Sequence, residues 1–246
     1  MDDQTLTDAA RAVAPAVHDI PAAFMLDGAT YLAAAEAGYD GVAFYYAGRG
    51  GVLGDVEAAA VVDAFVFFPS GTVESAWASS AAVEGRGESA ARFAACGSEW
   101  ARTHLDEAGC DWARLADLAG KVAAGADAEG APVFAGWRDL PEPSGERELA
   151  LHRLNSLREL RAARHGRAVL DAGIEPLEAL MVKTPYMADI FGWPEPRPEP
   201  DEALRARWEA AEERTNEAFG ADLASLDDDE LREFVQLCDA AVGAVG

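Results

Sequence analysis

Lysine is almost missing from this chain: of 20 basic residues only Lys121 and Lys183 are lysines, against 44 Asp and Glu, for a formal charge of −24. A surface so short of positive charge repels phosphate backbones and anionic lipid, so nucleic acid is disfavoured as a partner unless cations are concentrated locally. The same acidic excess suits a protein that stays hydrated in high salt. Long apolar runs are missing too. Ala58 to Val62 and Ala64 to Phe68 are short and are separated by Asp63, whereas a bilayer span needs about 20 apolar residues. The chain opens Met1-Asp2-Asp3 and soon carries Asp8, Arg11, His18 and Asp19, the wrong order of charge and apolarity for a secretory leader. The expected location is the cytoplasm, with no membrane partner.

Cysteine is scarce: Cys96, Cys110 and Cys238 are odd in number and far apart. Neither a disulfide framework nor a zinc site has that spacing, so three reduced thiols in or near the core are expected and no metal site is assigned. GxGxxG, Walker and HExxH patterns are absent, as is any recognisable Ser/His/Asp or Cys/His order. Nucleotide binding therefore has no support in the sequence, no catalytic residue is assigned, and the cofactor stays unknown.

What is present is helix. With 246 residues, half of them hydrophobic, the chain can bury a core without staples, as one large helical domain or two small ones. Thr7, Asp27 and Asp55 are placed to cap helices running to about Val17, Ala37 and Phe68. Gly48, Gly50, Gly51 and Gly54 predict a loop carrying Arg49. Helices are predicted over 69–82, 88–108 and 112–124, then a loop over 125–136. Leu140 to Gly145, with two prolines, is the clearest linker and is taken as a boundary between an N-terminal helical domain (1–140) and a C-terminal one (146–246), or as a joint inside one globule. Helices are expected over 146–165, 168–172, 175–182, 202–219 and 228–245. The stretch Trp193 to Pro200 alternates prolines and admits neither helix nor central strand. No segment shows a strand period.

The helix after the linker carries the most chemistry. At about 100° per residue, Leu149, Leu154, Leu157 and Leu160 share one arc, with His152, Asn155 and Glu159 on the far side. Arg158 and His165 lie at the edge of the apolar arc and Arg161 within it. A guanidinium there must reach solvent, a carboxylate or a bound anion, because burying it unpaired is too costly. Arg153, Arg158, Arg161, Arg164 and Arg167 make this the one locally positive segment.

Leu149 to Glu178 resembles the helix-turn-helix segment of an actinobacterial family of MarR-like proteins, whose pattern reads roughly H-x-x-x-x-x-R-E-x-R-G-D-G-H followed by A-L-x-x-A-G-L. His152, Arg158, Glu159, Arg161, His165 and the Ala172-Gly173-Ile174 turn match it. Ala162-Ala163-Arg164 replaces the family's Gly-Asp-Gly, so no role of that aspartate carries over. Tyr45 to Gly54 is similar to the family's Y-F-A-G-R-x-x-P-L-G, with Val52 where proline is usual. Phe65 to Pro69, Trp77, Phe191 to Trp193 and Arg207 to Thr215 also match, so the resemblance covers most of residues 8–240. It implies an all-α, multi-helix bundle with a helix-turn-helix C-terminal part. Because the proline run occupies the place of the β-wing and cannot pair as a hairpin, the winged helix is degenerate.

Each candidate residue has a plainer alternative. Arg49 either holds an anionic group or pairs with a carboxylate. His152 with Glu159 forms an acid/base pair, two ligands of a metal that lacks a third at a recognisable spacing, or a packed polar face, and Arg161 with His165 belongs to a buried polar network or ligand site or makes a structural salt bridge. Phe65, Phe67 and Phe68 are expected in the core. The leading expectation is a helix-turn-helix-derived small-molecule-binding protein with weak or absent DNA binding. Its ligand, small and anionic or aromatic, would meet Tyr45, Arg49, His152, Arg158, Glu159, Arg161 and His165. Two alternatives stand beside it: a MarR-like transcriptional regulator that places Glu175 to Lys183 in the major groove as a homodimer, and a small-molecule enzyme using His152, Glu159 and His165.

Overall fold

The computed structural model describes residues 2–246. Among them there are α-helices and no strand: α1 (Asp3–Leu26), α2 (Gly28–Ala37), α3 (Ala43–Gly50), α4 (Ala58–Ala64), α5 (Ser70–Ser80), α6 (Arg86–His104), α7 (Trp112–Gly125), α8 (Pro132–Arg138), α9 (Glu146–Asp171), α10 (Pro176–Lys183), α11 (Met187–Phe191), α12 (Glu202–Leu223) and α13 (Asp228–Gly243). The all-α expectation holds. None of these helices is long and apolar enough to cross a membrane, and the three cysteines are free thiols.

The centre of the bundle is α9, packed against α1, α6, α7, α8 and α12. Of its expected leucine arc, Leu154, Leu157 and Leu160 are fully inside, while Leu149 at the start of the helix is half-buried. The opposite arc is buried as well. His152, Asn155, Ser156 and Glu159 are all within the protein, because α6 and α8 cover that side. The periodicity of one helix shows which side is apolar, but it does not show how many neighbours surround it.

Several boundaries differ from expectation for definable reasons. Asp2, not Thr7, caps α1, and Thr7 bonds its hydroxyl to the Asp3 carbonyl one turn back. The helix also runs through Pro15 and Pro21, because Val13, Val17, Ile20 and Phe24 bury a continuous face that offsets the lost backbone bonds. Glu57 rather than Asp55 precedes α4. α8 forms inside the expected 125–136 loop, with Pro132 in its first turn, and Val133, Phe134 and Trp137 buried. Residues 146–171 form one helix without a break. It stops where Gly173 takes φ of 63°, a left-handed turn that leads into α10. The proline run after Trp193 is neither helix nor strand, and it bends at Glu195 and Pro196.

The glycines before residue 55 produce the largest local correction. Arg49 lies in helix α3, not in a loop, and is buried. Gly48 is there for contact rather than flexibility: a Cβ at that position would lie 2.5 Å from Phe93 Cβ on α6. The absent side chain lets α3 approach α6 and carries Arg49 into the interior.

Candidate functional site

Glu159 on α9 is the hub of a buried charge cluster. It accepts from Arg49 Nε (2.8 Å) and Nη2 (2.8 Å) in a two-point fork, and from Arg158 Nη1 (2.8 Å). Arg49 Nη1 donates to the Tyr45 hydroxyl at 3.0 Å, and its guanidinium lies 4.3 Å from the centre of the Phe65 ring. Trp137 Nε1 fixes the backbone by donating to the Arg49 carbonyl at 3.0 Å. Burial disfavours both charges, but their mutual field and hydrogen bonds outweigh it. Arg49 is held above the usual guanidinium range, and Glu159, in the fields of Arg49 and Arg158, below the usual carboxylate range.

One turn further along α9, the groups face α12 and α1. Arg161 donates through Nη2 to Glu212 and to Asn216 Oδ1. His165 Nδ1 lies 3.0 Å from Thr215 Oγ1 and 3.3 Å from Glu212 Oε2, and its ring packs on Phe67 at 5.3 Å. Burial lowers its pKa to about 4, against the pull of Glu212 and with help from Arg161 and His18, so the imidazole is neutral at pH 7. His18 on α1 completes the group. Although 58% of its side chain reaches solvent, crowding by its neighbours and the fields of Arg158 and Arg161 hold its pKa down.

This cluster has two unspent donors. Arg49, Arg158 and Arg161 are matched by the carboxylates of Glu159, Glu212 and Asp19, the last 2.7 Å from His18 Nδ1, and both histidines favour the neutral form. Nε of Arg158 and Nε of Arg161 are buried without a partner, and buried donors are normally satisfied by protein, water or a bound group. The chemistry on offer is recognition of an anion beside aromatic rings. Phe68, adjacent to Phe67, stacks at 4.1 Å on Phe191 and at 5.6 Å on Tyr45.

The structure therefore joins six of the seven sequence candidates: Tyr45, Arg49, Arg158, Glu159, Arg161 and His165. His152 stands apart, facing Trp137 and a cavity on the α7 and α8 side. Glu212 and Thr215 lie in the matched stretch 207–215 but were not singled out by it, and His18 and Asn216 carry no motif. Only the meeting of α1 and α12 over α9 brings them in. Among the described residues no group of three or more His, Cys, Asp or Glu is arranged to hold a metal ion.

The arginines that made α9 look positive are all engaged with carboxylates. Arg153 binds Glu142, Arg158 Glu159, Arg161 Glu212, Arg164 Asp222 and Arg167 Asp171. Lys183, at the end of α10, lies 5.7 Å from the Trp208 ring.

A family model described as a helix-turn-helix family matches residues 10–199, more than three quarters of the chain. No curated protein and no solved structure matches it.

Proposed function

This chain belongs to that helix-turn-helix family, and on that premise we propose that it is a helix-turn-helix-derived binding protein for a small anionic, aromatic molecule, with DNA reading weak or lost. One observation carries the reading: the helix that would lie against phosphate turns its arginines inward, where Nε of Arg158 and Nε of Arg161 are buried without acceptors. An anion between α1, α9 and α12 would supply those acceptors. Phe67 and Trp208 beside His165 give a flat apolar partner for the remainder of such a molecule.

The test is calorimetry and thermal shift of the whole chain against aromatic carboxylates and their neutral amides. The acids should bind and the amides should not. Arg161→Ala should weaken the acid at least tenfold, the scale of one charge-assisted hydrogen bond, about 1.5–3 kcal/mol. Equal response to acid and amide, or unchanged binding in the variant, would overturn the assignment.

Membership of the family and the α9–Gly173–α10 pair favour a second reading, a homodimeric MarR-like regulator. That reading requires α10 to enter the major groove and half-sites spaced about one helical turn apart. Selection from random DNA at low salt should then return a palindrome, and a pool without enrichment would remove it.

A further inference from the structure

A cavity of about 360 Å³ lies where α7, α8 and the start of α9 meet, lined by Lys121, Arg138, Glu142, His152, Arg153 and Ser156. That volume is within the range of small-molecule sites, about 300–1,000 Å³. Two of its cations are already committed. Arg153 gives Nε and Nη2 to Glu142 at 2.7 and 2.8 Å and Nη1 to the Ala116 carbonyl at 3.0 Å, and Lys121 pairs with Glu230. The Arg153 head lies flat on α7 only because residue 120 is glycine: a Cβ there would come 2.6 Å from Nη1.

Arg138 is different. Its Nη1 reaches the Ala123 and Ala126 carbonyls only at 3.4 Å, and its nearest carboxylate, Asp139, stands 3.6 Å from Nε with its own side chain 75% exposed. The guanidinium is held in the wall of the cavity with most of its donor capacity unused. At the inner wall, His152 is 7% exposed and its Nε2 has no partner. Burial favours its neutral form, against the opposite pull of Glu142. In the tautomer that carries its proton on Nδ1, Nε2 presents a lone pair. Behind His152 a second space of about 10 Å³ is bordered by Asn155, whose Nδ2 and Oδ1 are likewise without partners. An open polar cavity backed by buried, unmatched hydrogen-bonding atoms has the form of a ligand site rather than a packing fault.

We propose that this cavity binds a small amino or hydroxy acid, its carboxylate held by Arg138 and its adjacent amino or hydroxyl group donating to His152 Nε2. The site is separate from the cluster between α1, α9 and α12 and does not depend on the function proposed for it. The bidentate match of guanidinium and carboxylate fixes one end, and acceptors at the wall, His152 Nε2 together with the lining carboxylates of Asp117 and Glu142, favour a donor at the other.

The chain has four histidines, so the imidazole nitrogen resonances of the intact protein give a direct readout, paired with calorimetry. The probes are alanine, serine, lactate and malate, with acetate as the carboxylate that lacks a neighbouring donor. Saturable binding is expected from the amino acids or the hydroxy acids, at least tenfold tighter than acetate, with the His152 nitrogen shift moving and those of His18, His104 and His165 still. Whichever class wins identifies the donor. Arg138→Gln should weaken binding at least tenfold. Ala124→Trp, which replaces an exposed lining residue and fills the cavity without touching the core, should abolish it. Arg161→Ala should leave it unchanged. No saturable binding by any amino or hydroxy acid, binding that survives Ala124→Trp, or binding lost in Arg161→Ala would each overturn the proposal.

Discussion

The middle of α9 and its next turn use the same residue types to opposite ends. At Glu159 the carboxylate has both oxygens occupied, Arg49 delivers three of its donors to Glu159 and Tyr45, and the aromatic wall of Phe65 shuts out water. At Arg161 and His165 the acid is partly exposed, the Arg161 Nε goes unmatched, and His18 stands at the solvent edge. A buried ion pair whose hydrogen bonds are complete fixes geometry and leaves nothing for a ligand. A pair of the same composition with donors to spare keeps hydrogen-bonding capacity that a ligand could use. The difference lies in stoichiometry of donors and acceptors rather than in residue identity.

Mutation should break this contrast most visibly at the hub. Glu159→Ala strands Arg49 and Arg158 inside the protein, and the expected loss is about 3–5 kcal/mol of unfolding free energy, read by urea denaturation. A loss below about 1 kcal/mol would mean that the cluster is hydrated rather than sealed.

Acid titration sharpens the comparison next, because both halves respond to pH in the same direction by different routes. His165, with a folded pKa of about 4, stays neutral in the native state while its unfolded counterpart takes a proton below about 6.5. Stability should therefore fall between about pH 6.5 and pH 4, by up to ~3 kcal/mol, and His165→Gln should flatten the curve over that window. Glu159 acts lower. Its folded pKa lies below the ordinary carboxylate range, so its contribution is complete above about pH 4.3 and disappears as the pH falls through the folded value. A curve for His165→Gln that overlays the wild type would remove the histidine from the account.

Arg161→Ala should be milder for stability, ~1–2 kcal/mol, while its effect on anion binding is large. That split between a small stability change and a large binding change separates recognition from scaffolding. Smallest of all is Arg167→Ala. Its guanidinium is 79% exposed beside Asp171, and no measurable shift in Tm is expected. If DNA binding exists and depends on this variant, the exposed end of α9 must touch phosphate, and the salt dependence of binding would drop by about one ion.

Much of this was legible in the sequence in particular places. The leucine arc of α9, the cap at Asp27, the irregular proline run and the buried placement of Phe65 and Phe68 all follow from short-range pattern. Arg49 was picked out as a binding residue but placed in a loop, since Gly48 and Gly50 carry the composition of a turn and nothing local shows that Phe93 sits against residue 48. His152 and Glu159, three and four residues either side of Asn155, share a helix face in sequence. Yet one borders an open cavity and the other is enclosed, because α8 and α3 cover different lengths of that face.

By itself the sequence determined the helical class, the charge and the concentration of arginine on one segment, because composition, periodicity and capping act over a few residues. Which carboxylate each arginine meets was decided by the tertiary structure alone. Glu159 finds Arg49 from 110 positions away, and Arg161 finds Glu212 across 51, separations over which no local pattern constrains the partner. Only the packing of α1 and α12 on α9, with Arg49 reaching in from α3, buries the middle of a stretch whose end at Arg167 stays exposed.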